Sequence, residues 1–300
     1  MFQSASIDKE RLLVPALRSR LFWRGNVTSA AGSNAGRMRI FGLNFADTTV
    51  AAASQSLVDA ARAKQIQRVV FANAHVINEV TTRADYRAVV ETADRIYADG
   101  SGLAIAARLL GTPLADNVNG TDLFPRLAAD AMAAGVKIFL LGGRPGVAEA
   151  ARARMTGFGL GEAIAGAAHG YFTPDSADET AAIAAVNASG ADIVLVGMGV
   201  PLQDEWIARH AHRLNAPVLA GVGGLFDFFA GTVERAPHAF RVAGCEWVWR
   251  LASEPRRMAR RYLLGNVVFL AHALVEAARV RGPVVWSRWR RPALGTGGAR

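Results

Sequence analysis

Short apolar runs alternate with alanine-rich, helix-like stretches along most of this chain. The runs are bounded by polar or glycine-containing loops, which predicts strands at 38–41, 68–71, 95–98, 137–141, 192–196 and 218–221. Strands separated by helical stretches are typical of βαβ units. We therefore predict an α/β fold with a Rossmann-like, mainly parallel sheet and helices on both faces. The loops that follow such strands emerge at one edge of the sheet, where open α/β folds bind their ligands.

The pattern changes near both ends of the chain. Residues 1–37 finish in a run of Ser, Ala, Gly and Asn, and we interpret them as a flexible lead before a Rossmann-like body at 38–237. After Pro237, tryptophan and arginine occur on a helical background, which predicts a basic, amphipathic, membrane-associating helical appendage at 238–282. The Arg, Pro and Gly composition of 283–300 predicts a flexible tail.

We expect the protein to stay on the cytoplasmic side of the cell membrane. No uninterrupted apolar run reaches the roughly 18 to 20 residues of a spanning helix. The start of the chain also lacks the basic, apolar and small-residue order of a signal peptide. Cys245 is the single cysteine, which excludes an intrachain disulfide framework and a cysteine-rich zinc site.

The charge is distributed unevenly. The formal net charge is +9, and arginines gather towards the C-terminus while the middle of the chain is close to neutral. Such a basic patch attracts polyanions, which include nucleic acids and anionic membrane leaflets. The basic segment carries no recognisable nucleic-acid-binding module, so we expect an anionic membrane surface and no nucleic acid as its partner.

A glycine-rich turn, Gly142-Gly143-Arg144-Pro145-Gly146, follows the strand predicted at 137–141. Backbone N–H groups and a helix N-terminus at such a turn suit the diphosphate of a nucleotide. The same glycines would also serve a tight connection that needs only their backbone angles. The spacing G-x-G-x-x-G is absent here, which disfavours a nicotinamide-dependent dehydrogenase.

Polar side chains follow three other predicted strands. Asp99 comes directly after 95–98, where it could deprotonate a sugar hydroxyl or cap the following helix, and Asn73 ends the preceding strand region. Gln203 enters a helix after 192–196 and offers donors and acceptors to sugar hydroxyls or a base. Asp204 lies beside it in the first helical turn, where an acid also favours the helix dipole.

No metal or other cofactor is expected. The sequence contains no Asp-x-Asp, and its histidines lack convincing ligand spacing. We therefore predict a metal-independent activity.

Two faces of the C-terminal helical segment differ in character. At about 100° per residue, four arginines share one face: Arg256, Arg257, Arg260 and Arg261. Phe269 and Leu270 lie outside a second face, which is apolar and of similar width. That apolar face consists of Leu263, Leu264, Val267, Val268, Ala271, Leu274 and Val275. The alternatives are a helix docked on its own core and a membrane-surface helix with phosphate-binding arginines.

Taken in order, the motifs from about residue 38 to 262 resemble the WecG/TagA/CpsF family of bacterial glycosyltransferases, glycosyltransferase family twenty-six. The collinear motifs are Asn73-Ala74-His75, Ala98-Asp99-Gly100, Asn119-Gly120-Thr121-Asp122, 139–146, Gly170-Tyr171-Phe172, Gly199-Val200-Pro201-Leu202-Gln203-Asp204, 221–224, Gly231, Arg235-Ala236-Pro237, Glu246-Trp247 to Arg250, and Glu254-Pro255.

The resemblance implies inverting transfer of a sugar from a UDP-sugar to an undecaprenyl-diphosphate-linked saccharide, in exopolysaccharide or cell-surface polysaccharide synthesis. It places the base at Asp99, a strand-end asparagine at Asn73 and an active-site glutamine at Gln203. The diphosphate-binding candidates of the appendage are Arg250, Arg256, Arg257, Arg260 and Arg261. The other substrate-binding positions it implies are Gly100, Asp122, Gly142, Gly143, Arg144, Gly146, Tyr171, Gly199, Pro201, Asp204, Gly223 and Gly224.

Two departures from the family pattern leave the donor sugar open. Phe71 stands where members with an N-acetylmannosamine donor often have threonine, and Asp204 stands where the family usually has glutamate. UDP-N-acetylmannosamine and UDP-glucose, the latter as in the xanthan-type branch, are the alternatives. A non-catalytic nucleotide-sugar scaffold or sensor is the competing function, and a homo-oligomer is one of the assemblies that the sequence leaves open.

Overall fold

The computed structural model describes residues 36–289 except 238 and 241–243, and the side chains at 257, 260, 261 and 281–289 lie outside that description. Its strands are β1 (Gly36–Ile40), β2 (Leu43–Asp47), β3 (Gln67–Ala72), β4 (Arg95–Ala98), β5 (Ile138–Gly142), β6 (Ile164–Ala168), β7 (Ile193–Gly197) and β8 (Val218–Gly221).

The helices of the body alternate with these strands, and further helices follow them in the described part of the chain. The body helices are α1 (Val50–Arg62), α2 (Ala74–Thr82), α3 (Ala84–Glu91), α4 (Ser101–Leu110), α5 (Gly120–Ala134), α6 (Val147–Gly157), α7 (Ala177–Ala188), α8 (Leu202–His210) and α9 (Leu225–Phe229). The later helices are α10 (Glu246–Ser253), α11 (Pro255–Ala259) and α12 (Gly265–Trp289), with a π turn at Arg260–Leu264.

Six parallel strands form the central sheet in the order β4-β3-β8-β7-β5-β6. Every residue of β5, β7 and β8 is buried, because helices cover both faces of the sheet. The predicted Rossmann-like α/β fold with a C-terminal helical part is confirmed. Since the strands are parallel, the loops after β3, β4, β5, β7 and β8 emerge at one edge.

The structure corrects the sequence prediction at two strands. The predicted strand 38–41 corresponds to β1, but β1 pairs antiparallel with β2 in a separate hairpin. Its turn places Phe41 and Gly42 at φ of 53° and 78°, as a two-residue hairpin turn requires. Strand β6 was not predicted as a strand, because its sequence of one Ile followed by Ala and Gly lacks further β-branched residues.

Side-chain caps fix where several helices begin. Thr49 Oγ1 accepts a hydrogen bond from the Ala52 amide before α1, and Ser176 Oγ accepts one from the Glu179 amide before α7. Each cap satisfies a backbone N–H that has no partner within the helix. Helix α5 ends at Gly135, whose left-handed φ of 70° suits glycine.

Helix α12 packs on the body through a narrow strip of its surface. Phe269 is 2% exposed, and its ring lies 5.7 Å from that of Phe41, with Gly102 of α4 against its edge. Near the start of α12, Asn78 Nδ2 donates a hydrogen bond to the Gly265 carbonyl at 2.7 Å. Residue 273, an alanine, is fully buried one turn beyond Phe269.

The apolar face predicted for this segment is not the one that docks. Its large members are exposed: Leu263, Leu264, Val267, Val268, Leu274 and Val275. The docked residue Phe269 lies outside that predicted face. The helix does dock on the protein's own core, as one alternative expected, but through Phe269 and residue 273 and not through the predicted face.

The segment Tyr262–Val280 is long and apolar enough, by length and composition, to cross a membrane. The search for uninterrupted apolar runs does not detect this segment, because Asn266, His272, Glu276 and Arg279 interrupt the run without making the segment polar. A helix that docks on a folded body passes the same test. Helix α12 also continues to Trp289, past the boundary that we expected at residue 282.

We expect Phe269→Ala to loosen α12 from the body, because truncating a buried phenylalanine costs about 3–5 kcal/mol. Leu274→Ala, at a position that is 59% exposed, is the matched control and should change stability by less than about 0.5 kcal/mol. Hydrogen exchange measured in α4 and α12 would report the difference. Equal protection in the two variants would show that Phe269 does not hold the helix.

Candidate active site

A cavity of about 770 Å³ opens at the carboxyl edge of the sheet. One wall consists of loops that follow the strands, including Asn73, Asp99 and Gly199. The opposite wall comes from the C-terminal helices, including Trp249 and Arg250. Its volume lies within the range of small-molecule sites. Both parts of the chain therefore contribute to one candidate site.

Asp99 is held on a rigid strand end. Its backbone N–H donates to the Ala72 carbonyl at 2.8 Å and so extends the pairing of β3 with β4. The next N–H, of Gly100, donates to Asn117 Oδ1 at 2.6 Å. Gly100 has φ of 92°, which a side chain would strain. These contacts fix the backbone on both sides of a carboxylate that lines the cavity.

Asn73 lines the cavity and also caps α2. Its Oδ1 accepts hydrogen bonds from the His75 amide at 3.0 Å and the Val76 amide at 3.3 Å. The side-chain oxygen of Asn73 is thus occupied by hydrogen bonds from the N-terminus of α2. The amide nitrogen is the group that could meet a ligand.

Gln203 ties two glycine-containing loops together. It is 2% exposed, and its Oε1 accepts hydrogen bonds from Gly199 N at 3.2 Å and from Gly223 N at 2.8 Å. A side chain on Gly221 would meet the Gln203 amide nitrogen at 2.7 Å. Gln203, Gly199 and Gly223 all line the cavity. The role of Gln203 in positioning these loops was not evident from the sequence, which shows only the residue type and its place after a strand.

Asp204 points away from the cavity, into the body. Its Oδ2 accepts a hydrogen bond from the Tyr86 hydroxyl at 2.6 Å, and the residue is buried. Burial raises the pKa of the Asp204 carboxyl to about 6, although the Tyr86 hydrogen bond opposes that rise. Pro201 likewise does not line the cavity.

In the glycine-rich turn after β5, some residues line the cavity and others pack within the protein. Gly143 and Arg144 line the cavity, whereas Gly142 packs against the backbone of Gly197, and Gly146 precedes α6. The Gly143 N–H donates to the Gly197 carbonyl at 2.9 Å, so it is not directed at an anion. The side chain of Arg144, rather than this N–H, is the group that could contact a diphosphate.

Arg144 and Tyr171 face each other across the edge of the cavity. Hydrogen bonding to Tyr171 raises the pKa of the Arg144 guanidinium, with a further contribution from the charge of Asp227. Tyr171 is 63% exposed and offers a flat aromatic surface there. Together these residues combine a cation with a stacking surface.

Asp122 does not line the cavity, and its carboxylate is used within the protein. Its Oδ1 lies 2.6 Å from Arg235 Nη2, and its Oδ2 accepts a hydrogen bond from Asn119 Nδ2 at 2.7 Å. Arg235 Nε lies 3.7 Å from Glu246 Oε1 at the start of α10. Asp122 therefore links the body to the C-terminal helices.

Among the arginines predicted in the C-terminal appendage, Arg250 has a described side chain that lines the cavity. Its guanidinium carbon lies 4.6 Å from the centre of the Phe228 ring, and its Nη2 lies close to Gly224, which also lines the cavity. Arg256 is exposed and does not line it. The side chains of Arg257, Arg260 and Arg261 lie outside the described residues.

Several cavity residues were missed in the sequence. Asn117 and Trp249 lie far along the chain from any strand end that we had identified, so their positions gave no signal. Asp227 follows the glycines at 221–224 by one helical turn, and that spacing could have indicated it. In the part of the chain that the structure describes, no three His, Cys, Asp or Glu side chains group as metal ligands.

Asp204→Asn should change how stability depends on pH. The folded pKa of about 6 exceeds the unfolded value of 3.8. The contribution of Asp204 to stability is therefore greatest below pH 4 and is lost as pH rises through 6. Asparagine still accepts from Tyr86 but does not ionise, so the variant should gain stability relative to wild type between pH 4 and 7, by up to roughly 3 kcal/mol.

Melting temperatures of both proteins across this pH range would measure the gain. Tyr86→Phe removes the hydrogen bond that favours the carboxylate and should make the pH dependence steeper than that of wild type. A difference between wild type and Asp204→Asn that stays constant with pH would contradict the assignment.

Comparison with known proteins agrees with this arrangement. A sequence model of the family described as "Glycosyl transferase WecG/TagA/CpsF family" matches residues 38–282. Proteins named N-acetylglucosaminyldiphosphoundecaprenol N-acetyl-beta-D-mannosaminyltransferase, from Staphylococcus aureus strains MW2 and COL, are 31% identical to the chain over 249 residues, which cover 82% of this chain and 95% of each relative. The matched residues include both walls of the cavity. The chain therefore belongs to the WecG/TagA/CpsF family and is a glycosyltransferase.

Proposed function

We propose that the enzyme transfers a sugar, with inversion, from a UDP-sugar to an undecaprenyl-diphosphate-linked saccharide used for exopolysaccharide or cell-surface polysaccharide. The observation that carries this proposal is the rigidly held Asp99 carboxylate in a cavity with two chemically different walls. One wall is made of polar, glycine-containing strand ends, and the other is made of aromatic, apolar and arginine side chains. The acceptor named for the relatives is a diphosphoundecaprenol that carries N-acetylglucosamine.

Asp99 is the proposed general base. Its carboxylate takes the proton from a hydroxyl of the acceptor sugar while that oxygen attacks the anomeric carbon of the donor. The bond from the anomeric carbon to the UDP oxygen breaks on the opposite side, so the configuration inverts and UDP leaves. The Asn73 amide nitrogen, on a residue that lines the cavity, is proposed to donate a hydrogen bond to the transferred sugar.

Arg144 and Arg250 are proposed to stabilise the negative charge that develops on the departing diphosphate. Both line the cavity, Arg144 from the body and Arg250 from α10. Two guanidinium groups supply the positive charge that a divalent cation provides in many other transferases. We therefore propose that the reaction needs no metal.

Tyr171 is proposed to stack on the uracil ring of the donor, since it presents an aromatic face beside Arg144. Phe71 lines the cavity near Asn73 with its ring 5.5 Å from that of Tyr97. An apolar ring at this position offers no hydroxyl to an N-acetyl group. UDP-N-acetylmannosamine, by analogy with the names of the relatives, and UDP-glucose are the two donors to compare.

We further propose that the enzyme binds the inner face of the cell membrane from the cytoplasm. The exposed apolar face of the C-terminal segment includes Leu263, Leu264 and Val267, and Arg256 lies exposed one element earlier. Apolar side chains beside arginines suit the boundary of an anionic leaflet. Such a position brings the cavity to a lipid-linked acceptor.

The function can be tested with purified protein, both UDP-sugars and a short-chain lipid diphosphate that carries N-acetylglucosamine or glucose. Transfer with one donor, unchanged by excess chelator, is the expected result. Activity that disappears with chelator and returns with a divalent cation would refute metal independence. Binding of donors without transfer to any acceptor would favour the scaffold or sensor function instead.

Asp99→Asn should lower turnover by about 100-fold or more, because it removes the base and preserves the shape of the side chain. Affinity for UDP, measured by calorimetry, should stay near wild type. Asp59→Asn, on the exposed side of α1, is the matched control and should keep full turnover. Near-normal turnover of the Asp99 variant would refute its assignment as base.

Replacing Arg256, Arg257, Arg260 and Arg261 with glutamine should weaken binding to anionic vesicles, by roughly 1 kcal/mol for each charge near the surface. Added salt should weaken wild-type binding similarly. A control that replaces the exposed body arginines Arg62 and Arg152 should sediment with vesicles as wild type does. Unchanged vesicle binding by the four-arginine variant would show that this cluster is only a solvated helix face.

A further inference from the structure

Trp249 on α10 carries a buried hydrogen-bond donor that borders the cavity. Its indole Nε1 is shielded from solvent and has no hydrogen-bond partner among the described residues. The ring is held in place by Phe240, with centroids 5.7 Å apart, and it lines the cavity. A buried N–H without a partner is costly, so folded proteins seldom leave one unless a ligand or water completes it.

A buried indole in the body, that of Trp206, has the acceptor that Trp249 lacks among the residues that the structure describes. Trp206 Nε1 donates to Glu179 Oε1 at 2.8 Å, deep between α7 and α8. That donor lies in the core and is satisfied within the protein. Trp249 differs in that its ring borders a cavity and its donor stays unmatched.

Two further buried donors belong to arginines that line the same cavity. Arg235 Nε and Arg250 Nε have no hydrogen-bond partner within the described part of the chain, and the carboxylate oxygens paired with them lie at 3.7 Å on Glu246 and 3.8 Å on Glu254. Three such donors on one side of a cavity favour a ligand rich in oxygen or negative charge.

The apolar lining of the same wall indicates which substrate supplies that oxygen. Leu263, Val267 and Leu270 line the cavity and are also exposed, so the cavity opens onto the apolar face of the C-terminal segment. A ligand that fits this wall combines hydrocarbon with an oxygen-rich head. A UDP-sugar has no hydrocarbon chain, whereas a polyprenyl diphosphate sugar has a hydrocarbon chain and an oxygen-rich head.

We propose that the Trp249 indole N–H donates a hydrogen bond to an oxygen in the diphosphate-sugar portion of the lipid-linked acceptor, which makes Trp249 an acceptor-recognition residue. The inference rests on the proposed function. It assigns to α10 a share in choosing the acceptor, beside the contact that Arg250 of the same helix is proposed to make with the donor diphosphate.

The test compares Trp249→Phe with Val248→Ala. Phenylalanine keeps an aromatic ring and removes the N–H, whereas Val248 lies on the same helix, is 36% exposed and does not line the cavity. Trp249→Phe should raise the KM for a short-chain polyprenyl diphosphate N-acetylglucosamine roughly 5- to 10-fold, as expected for one lost hydrogen bond. The KM for the UDP-sugar and the Kd for UDP should stay within about twofold, and Val248→Ala should change none of them.

Direct binding separates this inference from the proposed function. Wild type and both variants are titrated with the same acceptor analogue without donor, and their melting temperatures are compared. Weaker binding by Trp249→Phe alone supports the inference even if transfer itself is not detected. Equal acceptor affinity in wild type and Trp249→Phe would overturn it, and so would an equal loss of UDP affinity.

A second variant covers the case in which Trp249→Phe loosens α10. Trp249→His restores a ring N–H on a smaller side chain and should recover part of the acceptor affinity that phenylalanine loses. If histidine and phenylalanine variants lose acceptor affinity equally while α10 remains protected from hydrogen exchange, the N–H is not the recognised group and the proposal fails.

Discussion

The geometry of the cavity depends on the two hydrogen bonds that Gln203 Oε1 accepts from Gly199 and Gly223. Loops after parallel strands carry backbone N–H groups that the sheet no longer satisfies. By accepting two of them, one buried side chain fixes the loops after β7 and β8 relative to each other. The strand-end wall that faces the substrate is therefore set by a glutamine inside the protein, and its glycines supply the space around it.

The C-terminal helices contribute the second wall through few but varied contacts. Phe269 fills an apolar recess beside Gly102, Asn78 bonds the start of α12, and Arg235 connects Asp122 to Glu246. Each contact joins residues far apart in sequence. Because Arg250 and Trp249 project from α10, the placement of these helices determines whether the cavity has its cationic and aromatic side.

The sequence predicted the features that depend on local pattern. Apolar runs identified most strands of the sheet. The rule that parallel strands end at one edge predicts that Asn73, Asp99 and Gln203 lie together, and all three line the cavity. The hairpin partner β2 and the alanine-rich β6 were missed, because neither carries a strong strand signal. Family resemblance supplied the reaction class, which pattern alone did not.

Features that depend on distant partners could not be predicted in this way. The residues near Asp122 in sequence do not show that Arg235 forms an ion pair with it. The residues near Asp204 in sequence do not show that the Tyr86 hydroxyl donates a hydrogen bond to it. Helical periodicity predicts an apolar face after residue 262, but the residue that docks is Phe269. Its position depends on the recess at Gly102, which lies on α4 and cannot be inferred from the pattern of the C-terminal helix. Side-chain roles set by tertiary contacts require the fold.

The division of the cavity between two stretches of chain has an evolutionary consequence. Substitutions in α10 can alter one substrate wall without disturbing the buried strands or the Gln203 contacts, and changes at the strand ends can leave α10 untouched. If Arg250 is kept, such modularity would let descendants of one ancestor exchange acceptors while retaining a donor, or the reverse. The fold thereby allows the two halves of a glycosidic linkage to diversify independently.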